Sequence, residues 1–138
     1  MAIFGGSFDP PHRGHQDIVK EAIDTLDIDK LVLLPAYLNP FKSSTLVSPL
    51  QRLEWIHILF DDIDGVEVDD YEIKEGKSVR TAQSVRYLSQ KYIVKYIIIG
   101  ADNLSSLDKW YEFDILNQNI IWVIASRRGY SLDRKSVV

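Results

Sequence analysis

The sequence of 138 residues contains no cysteine, which excludes disulfides, thiol catalysis and cysteine-ligated zinc. It also lacks a basic tract, and its net charge of −4 argues against nucleic acid or an anionic membrane as a partner. No apolar run approaches the roughly 18 residues of a membrane-spanning helix, and polar residues and prolines interrupt any signal-like stretch at the N-terminus. Together these absences predict a cytoplasmic protein that binds neither nucleic acid nor membrane.

The overall composition is typical of a soluble globular protein, with 46% hydrophobic and 26% charged residues. A chain of this length can bury a hydrophobic core of its own. We therefore expect residues 1–138 to form a single domain.

The N-terminal stretch combines a glycine turn with two histidines. A short apolar run meets Gly5 and Gly6, and a helical pattern follows, so the order predicts strand, tight turn and helix start. Glycines allow a sharp bend and a close approach to a ligand, and a helix N-terminus favours phosphate. His12 and His15 are three residues apart and share one helix face, where they could stabilise charge on phosphate oxygens. Zinc is disfavoured because only His57 remains as a third imidazole.

Apolar runs alternate with helical patterns along the whole chain. This alternation predicts an α/β, Rossmann-like doubly wound parallel sheet of about five strands, with helices on both faces. The predicted strands cover about residues 2–4, 31–34, 66–69, 96–99 and 120–125, and the predicted helices begin near residues 12, 48, 81 and 102.

Two further expectations concern the middle of the chain. The helix that starts at Ser48-Pro49 should bury a stripe made of Leu50, Leu53, Ile56 and Phe60. The acidic stretch from residue 61 to residue 72 should be a solvated surface, and Ile73 should extend the third strand or begin a neighbouring one.

A second glycine turn follows the apolar run at residues 96–99. Gly100 ends that run, and Asp102 could cap the next helix. In open α/β sheets ligands bind at the carboxyl edge, so both glycine turns could meet at one site. The loop after the second strand also lies at that edge, and Lys42 there could reach a phosphate. Trp110-Tyr111 is an aromatic pair, which is normally core but can also bind a flat ring.

The stretch Gly5-Gly6-Ser7-Phe8-Asp9-Pro10-Pro11-His12-Arg13-Gly14-His15 resembles the signature of the nucleotidyltransferase superfamily. Within it, the chain is similar to the bacterial nicotinate-nucleotide adenylyltransferases, from the first strand to Gly129. The resemblance implies transfer of the adenylyl group of ATP to nicotinate mononucleotide, giving nicotinate adenine dinucleotide and pyrophosphate. It also implies that Mg²⁺ enters with ATP and that no protein side chain acts as a metal ligand.

The resemblance carries site residues over in three groups. Catalysis is implied for His12, His15 and Lys42. Contacts with ATP are implied for Gly5, Gly6, Ser7, Phe8, Asp9, His12, His15, Gly100, Asp102, Leu104 and Arg127. Contacts with the nicotinate nucleotide are implied for Asn39, Ser78, Thr81, Trp110 and Tyr111, the last two forming the wall on which the pyridine ring stacks. Arg80 and Arg128 depart from the commonest family pattern.

Three alternatives stay open at this point. Pantetheine-phosphate adenylyltransferases share much of the signature but usually have Thr in place of His12 and lack the aromatic wall. Cytidylyltransferases also carry His-x-Gly-His, although the later segments differ. The family continues with a second phosphate-binding motif that has no match in this chain. We therefore expect a C-terminally truncated nucleotidyltransferase domain, and a nucleotide-binding module without catalysis is the alternative of a different class.

Overall fold

The computed structural model describes residues 1–37, 47–125 and 132–135. The elements in chain order are β1 (Ala2–Gly6), α1 (Arg13–Thr25), β2 (Leu31–Pro35), α2 (Pro49–Phe60), β3 (Val66–Val68), α3 (Tyr71–Glu75), α4 (Thr81–Ser89), β4 (Tyr96–Gly100), a 3₁₀ helix (Ala101–Lys109), α5 (Phe113–Asn119), β5 (Ile121–Ala125) and β6 (Leu132–Lys135). Within these ranges no helix is both long enough and apolar enough to cross a membrane.

The strands form one sheet in the order β3-β2-β1-β4-β5-β6. The first five strands are parallel, which confirms the predicted α/β architecture, and β6 is antiparallel to β5. The sixth strand was not predicted, because its sequence Leu-Asp-Arg-Lys has no apolar run and such edge strands are set by backbone pairing. The chain runs outward from β1 to β3 and then returns to β4, so the strand order reverses beside β1.

The core has two layers, one on each face of the sheet. Successive strand residues point to opposite faces, so Phe4 packs with α1 and α2 while Ile3 packs with α4 and α5. The central strands β2 and β4 are buried along almost their whole length. Helices therefore cover both faces, as the apolar runs predicted.

Two local predictions were wrong. Ile56 and Phe60 are buried on α2 as predicted, but Leu50 is 74% exposed, Leu53 is half-buried, and Arg52 completes the buried stripe. The first turn of α2 thus points its leucine to solvent because the inward position is occupied by a buried guanidinium. Ile73 lies in α3 and not in a strand. This helix begins at Tyr71, whose backbone N–H donates to an Asp69 carboxylate oxygen and so favours a turn at this point.

Arg52 links three segments at the carboxyl edge of the sheet. Its side chain is fully buried, and all its hydrogen bonds go to backbone carbonyls. Nε donates to Val47 at 3.1 Å, and Nη2 donates to Tyr37 at 2.7 Å. Nη1 donates to the carbonyls of Ser7 and Ala36. The guanidinium therefore holds the turn after β1 against the segment after β2.

Replacing Arg52 by lysine should destabilise the fold by about 2–4 kcal/mol, because an ammonium cannot reproduce the planar fork and leaves buried carbonyls without donors. Urea unfolding of Arg52→Lys against the wild type measures this change. The matched control is Arg86→Lys, since Arg86 is an exposed arginine paired with Glu112 and should change stability by less than about 0.5 kcal/mol. Equal effects of the two substitutions would contradict the role of the buried arginine.

Candidate active site

The turn after β1 bends at a different residue from the one predicted. Gly5 and Gly6 continue the strand, paired in register with Leu34 and Pro35. The chain instead turns at Phe8, whose φ of 49° is in the left-handed region, and a cis peptide bond follows between Asp9 and Pro10. The bend therefore comes from a buried phenylalanine, and the prediction that the glycines make it was wrong.

The Phe8 conformation is held by packing. Its ring is buried and lies edge-on against Phe4, with centroids 5.3 Å apart, and against His15 at 4.8 Å. Asp9 adds a polar tie, because its Oδ1 accepts the backbone N–H of Val47 at 2.7 Å. The turn is thus fixed from both sides, by an aromatic cluster and by the segment that leads into α2.

His12 and His15 form a reciprocal cap at the start of α1. His12 is the N-cap residue, and its Nδ1 accepts the backbone N–H of Gly14 at 3.0 Å. In return, the backbone N–H of His12 donates to Nδ1 of His15 at 3.0 Å. The two rings stack with centroids 3.9 Å apart. Because both Nδ1 atoms act as acceptors, each neutral ring carries its hydrogen on Nε2.

The electrostatic environment keeps His15 uncharged. Burial lowers the pKa of the His15 ring to about 4, and the neighbouring His12 acts in the same direction. At neutral pH the ring is therefore a neutral imidazole with Nε2–H as its donor. The structure thus brings the two predicted histidines together as a pair of N–H donors on one helix end.

A cavity of about 420 Å³ opens at the carboxyl end of β1. Its wall is shared by the end of β1, the start of α4 and the end of the 3₁₀ helix. Six of the predicted site residues line it: Gly5, Gly6, Ser7, Thr81, Trp110 and Tyr111. Gly5 and Gly6 contribute no side chains to the cavity floor. A Cβ at Gly5 would have only the Leu34 carbonyl oxygen within 4 Å, at 3.9 Å.

The aromatic side of the cavity carries an unused donor. Trp110 is half-buried and packs edge-on against Trp122, with ring centroids 5.9 Å apart. Among the described atoms, Trp110 Nε1 and Ser7 Oγ are buried without a hydrogen-bond partner. Tyr111 is 52% exposed, and the Arg80 guanidinium lies 4.4 Å from its ring centroid. A buried N–H without a partner is unfavourable, so this indole is an unsatisfied donor in a residue of the cavity wall.

Other predicted residues lie elsewhere. Ser78 is exposed and precedes the cavity-lining start of α4. Gly100 ends β4 and caps a 3₁₀ helix, whereas the sequence predicted an ordinary helix. The backbones of Asp102 and Leu104 lie in that 3₁₀ helix, and their side chains are outside the described part of the structure. The predicted residues Asn39, Lys42 and Arg127 lie outside the described ranges.

The acidic stretch contains one buried member. Glu72 is 7% exposed, and its Oε2 accepts the hydroxyl hydrogen of Ser84 at 2.7 Å. Burial raises the pKa of this carboxyl to about 7, and the Ser84 hydrogen bond opposes the shift. The prediction of a solvated surface was therefore wrong at this position. Within the described ranges, no group of three acidic or imidazole side chains could hold a metal ion.

Sequence reasoning missed Arg52 and Glu72 at this edge of the sheet. Arg52 had one usable signal, its helical spacing with Ile56 and Phe60, which places it on the buried face of α2. Glu72 had none, because a buried carboxyl in a short helix has the same local pattern as its exposed acidic neighbours.

Comparison with known proteins adds to this geometry. A family model described as cytidylyltransferase-like matches residues 3–137. A protein named "probable nicotinate-nucleotide adenylyltransferase" from a Sulfurovum species is 59% identical over 137 residues, which cover 99% of this chain and 73% of that protein. A protein of the same name from a Nitratiruptor species is 45% identical, with 98% and 77% covered. The chain thus spans about three quarters of the length of these relatives.

Solved structures support the fold assignment. The Plasmodium falciparum nicotinic acid mononucleotide adenylyltransferase complexed with NaAD superposes with a TM-score of 0.73 at 21% identity, covering 96% of this chain and 66% of that one. Structural similarity at this level of sequence identity shows a shared fold. Family membership is shown by the sequence relatives. With matches of this extent and identity, the chain belongs to the nicotinate-nucleotide adenylyltransferase family.

Proposed function

We propose that this chain transfers the adenylyl group of ATP to nicotinate mononucleotide. The products are nicotinate adenine dinucleotide and pyrophosphate. The observation that carries the proposal is the pair of Nε2–H donors on His12 and His15, at the start of the helix that follows the strand at the cavity floor. Family membership supports the same reaction, since both curated relatives carry the name of this activity.

The chemistry needs alignment and charge stabilisation more than proton transfer. A phosphate oxygen of the mononucleotide attacks the α-phosphorus of ATP, and the bond from that phosphorus to the pyrophosphate oxygen breaks. The attacking oxygen is already anionic, so no general base is required. The two imidazole N–H groups donate to the phosphate oxygens on which charge develops, and their fixed orientation avoids reorganisation during the reaction.

Mg²⁺ would enter with ATP, held mainly by phosphate oxygens and water, and would neutralise part of the phosphate charge. We assign Lys42 to the neutralisation of phosphate charge, and Gly100, Asp102, Leu104 and Arg127 to the binding of ATP. These assignments follow the sequence resemblance.

The cavity suits the pyridine nucleotide. Its volume of about 420 Å³ is within the range of small-molecule sites. The Trp110 ring offers a face for stacking, and its unpaired Nε1–H offers a donor. Thr81 is the first residue of α4, and no side chain caps this helix start. The backbone N–H of Thr81 lies at the positive end of the helix dipole and is therefore suited to an anionic group. An aromatic wall is not expected for phosphopantetheine, which has no ring to stack.

His15→Ala should lower turnover at least about 100-fold, the range for loss of a charge-stabilising donor. The measurement is pyrophosphate release from ATP and nicotinate mononucleotide near neutral pH. His57→Ala is the matched control, because His57 is an exposed histidine on α2 that pairs with Asp61. Near-normal turnover of His15→Ala would contradict the role. A wild-type chain that binds both substrates without releasing pyrophosphate would instead support the non-catalytic alternative.

Trp110→Leu should raise the KM for nicotinate mononucleotide at least about tenfold, because stacking and the indole N–H each contribute about 1 kcal/mol. The KM for ATP should change less than about twofold, since Trp110 is assigned to the pyridine ring and not to ATP. Trp110→Phe keeps a stacking ring and removes the N–H, so it should fall between the wild type and Trp110→Leu. Trp55→Leu on α2 is the control, and a larger effect on ATP than on the mononucleotide would contradict the assignment.

A further inference from the structure

Glu72 is a buried carboxyl in the wall of the proposed mononucleotide cavity. It lies on α3, and its one recorded hydrogen bond comes from Ser84, a fully buried residue of α4. Ser84 is one helical turn beyond Thr81, which lines the same cavity. The carboxyl is therefore fixed between two helices at the place where the nucleotide would bind, and the reaction proposed above gives it no role.

The surroundings of Glu72 provide no counter-ion among the described residues. Arg80 and Lys109 are the charged side chains that share the cavity wall, and neither forms an ion pair with it. The Arg80 guanidinium lies over the Tyr111 ring instead. The sheet contributes only glycine and apolar side chains beside it, from β1, β2 and β4: Ile3, Gly5, Leu34, Ile97 and Ile99.

The charged groups on the neighbouring helices are engaged elsewhere or exposed. On α3, Lys74 pairs with Asp70 at 3.3 Å, and Glu75 is exposed. On α4, Arg86 pairs with Glu112. Burial, and not a charged neighbour, is thus the main cause that raises the pKa of Glu72 to about 7. Both the acid and the carboxylate are then accessible near neutral pH.

Like charges in one partly enclosed and mainly apolar cavity repel more strongly than they do in bulk water. A pyridine carboxylate and an ionised Glu72 would therefore oppose each other, whereas a protonated Glu72 is neutral. We propose that Glu72 couples substrate binding to proton uptake: as the uncharged acid it admits the anionic nicotinate nucleotide, and as the carboxylate it repels it. This inference rests on the proposed function and adds a linkage between substrate binding and proton uptake.

The two protonation states of Glu72 determine how the affinity for nicotinate mononucleotide changes with pH. Below about pH 7 the free site already holds the proton, and affinity should not depend on Glu72. Above that pH the free site is ionised, and binding must take up a proton. The affinity for nicotinate mononucleotide should then fall by up to about tenfold per pH unit.

Calorimetric titration at about pH 8 in buffers of different ionisation enthalpy measures the protons taken up on binding. The wild type should take up about 0.5–1 proton more than Glu72→Gln, which keeps an acceptor for Ser84 and cannot ionise. Glu75→Gln is the control for an exposed carboxyl on the same helix and should match the wild type. The phosphate of the ligand contributes equally in all three proteins. Nicotinamide mononucleotide, with an amide in place of the carboxylate, should show a smaller difference.

Two results would decide against the proposal, and a third measurement replaces the first if the variant does not fold. Equal proton uptake by the wild type and Glu72→Gln overturns the proposed role of Glu72 but not the proposed reaction. Absence of nicotinate mononucleotide binding to the folded wild type overturns the proposed substrate and this inference with it. If Glu72→Gln does not fold, the wild type decides by itself. Its Kd for nicotinate mononucleotide must then rise about tenfold between about pH 7 and pH 8.5, and that for nicotinamide mononucleotide must rise less.

Discussion

The exchange of hydrogen bonds between His12 and His15 is the interaction on which the rest of the candidate site depends. A helix start leaves backbone N–H groups unpaired, and a capping box usually satisfies two of them with hydroxyl and carboxyl side chains. Here two imidazoles do so, through their Nδ1 atoms. The same bonds determine which ring nitrogen carries hydrogen, so the element that stabilises α1 also leaves an Nε2–H donor on each neutral ring.

The second constraint is the position of β1 between β2 and β4, where the strand order reverses. Phe4 faces the histidine side of the sheet and Ile3 faces the cavity side, so one strand supports both halves of the site. Arg52 binds the carbonyls of Ser7 and Ala36 and thereby holds the ends of β1 and β2 at a fixed separation. The proposed reaction requires such a frame, because in-line transfer depends on the relative placement of two phosphates.

The sequence predicted the five parallel strands and the histidine pair, because apolar runs and helical spacing are local signals. It did not predict β6, which pairs antiparallel with β5 although its sequence has no apolar run. It placed the bend at the glycines, although tertiary packing stabilises the left-handed conformation at Phe8. It also took Leu50 as buried and Glu72 as solvated. In both cases burial depends on which elements pack against the helix, and the local sequence pattern does not contain that information.

Long-range ¹H–¹⁵N NMR of the imidazole rings is the direct test of the reciprocal cap formed by His12 and His15, because it reports which nitrogen of each histidine carries hydrogen. At neutral pH His15 should be uncharged with hydrogen on Nε2, and it should gain its second proton only near pH 4, where the pKa of the ring lies. In its neutral form His12 should show the same tautomer. Hydrogen on Nδ1 of either neutral ring, or a charged His15 at neutral pH, would rule out the reciprocal cap, since Nδ1 could not then accept a backbone N–H.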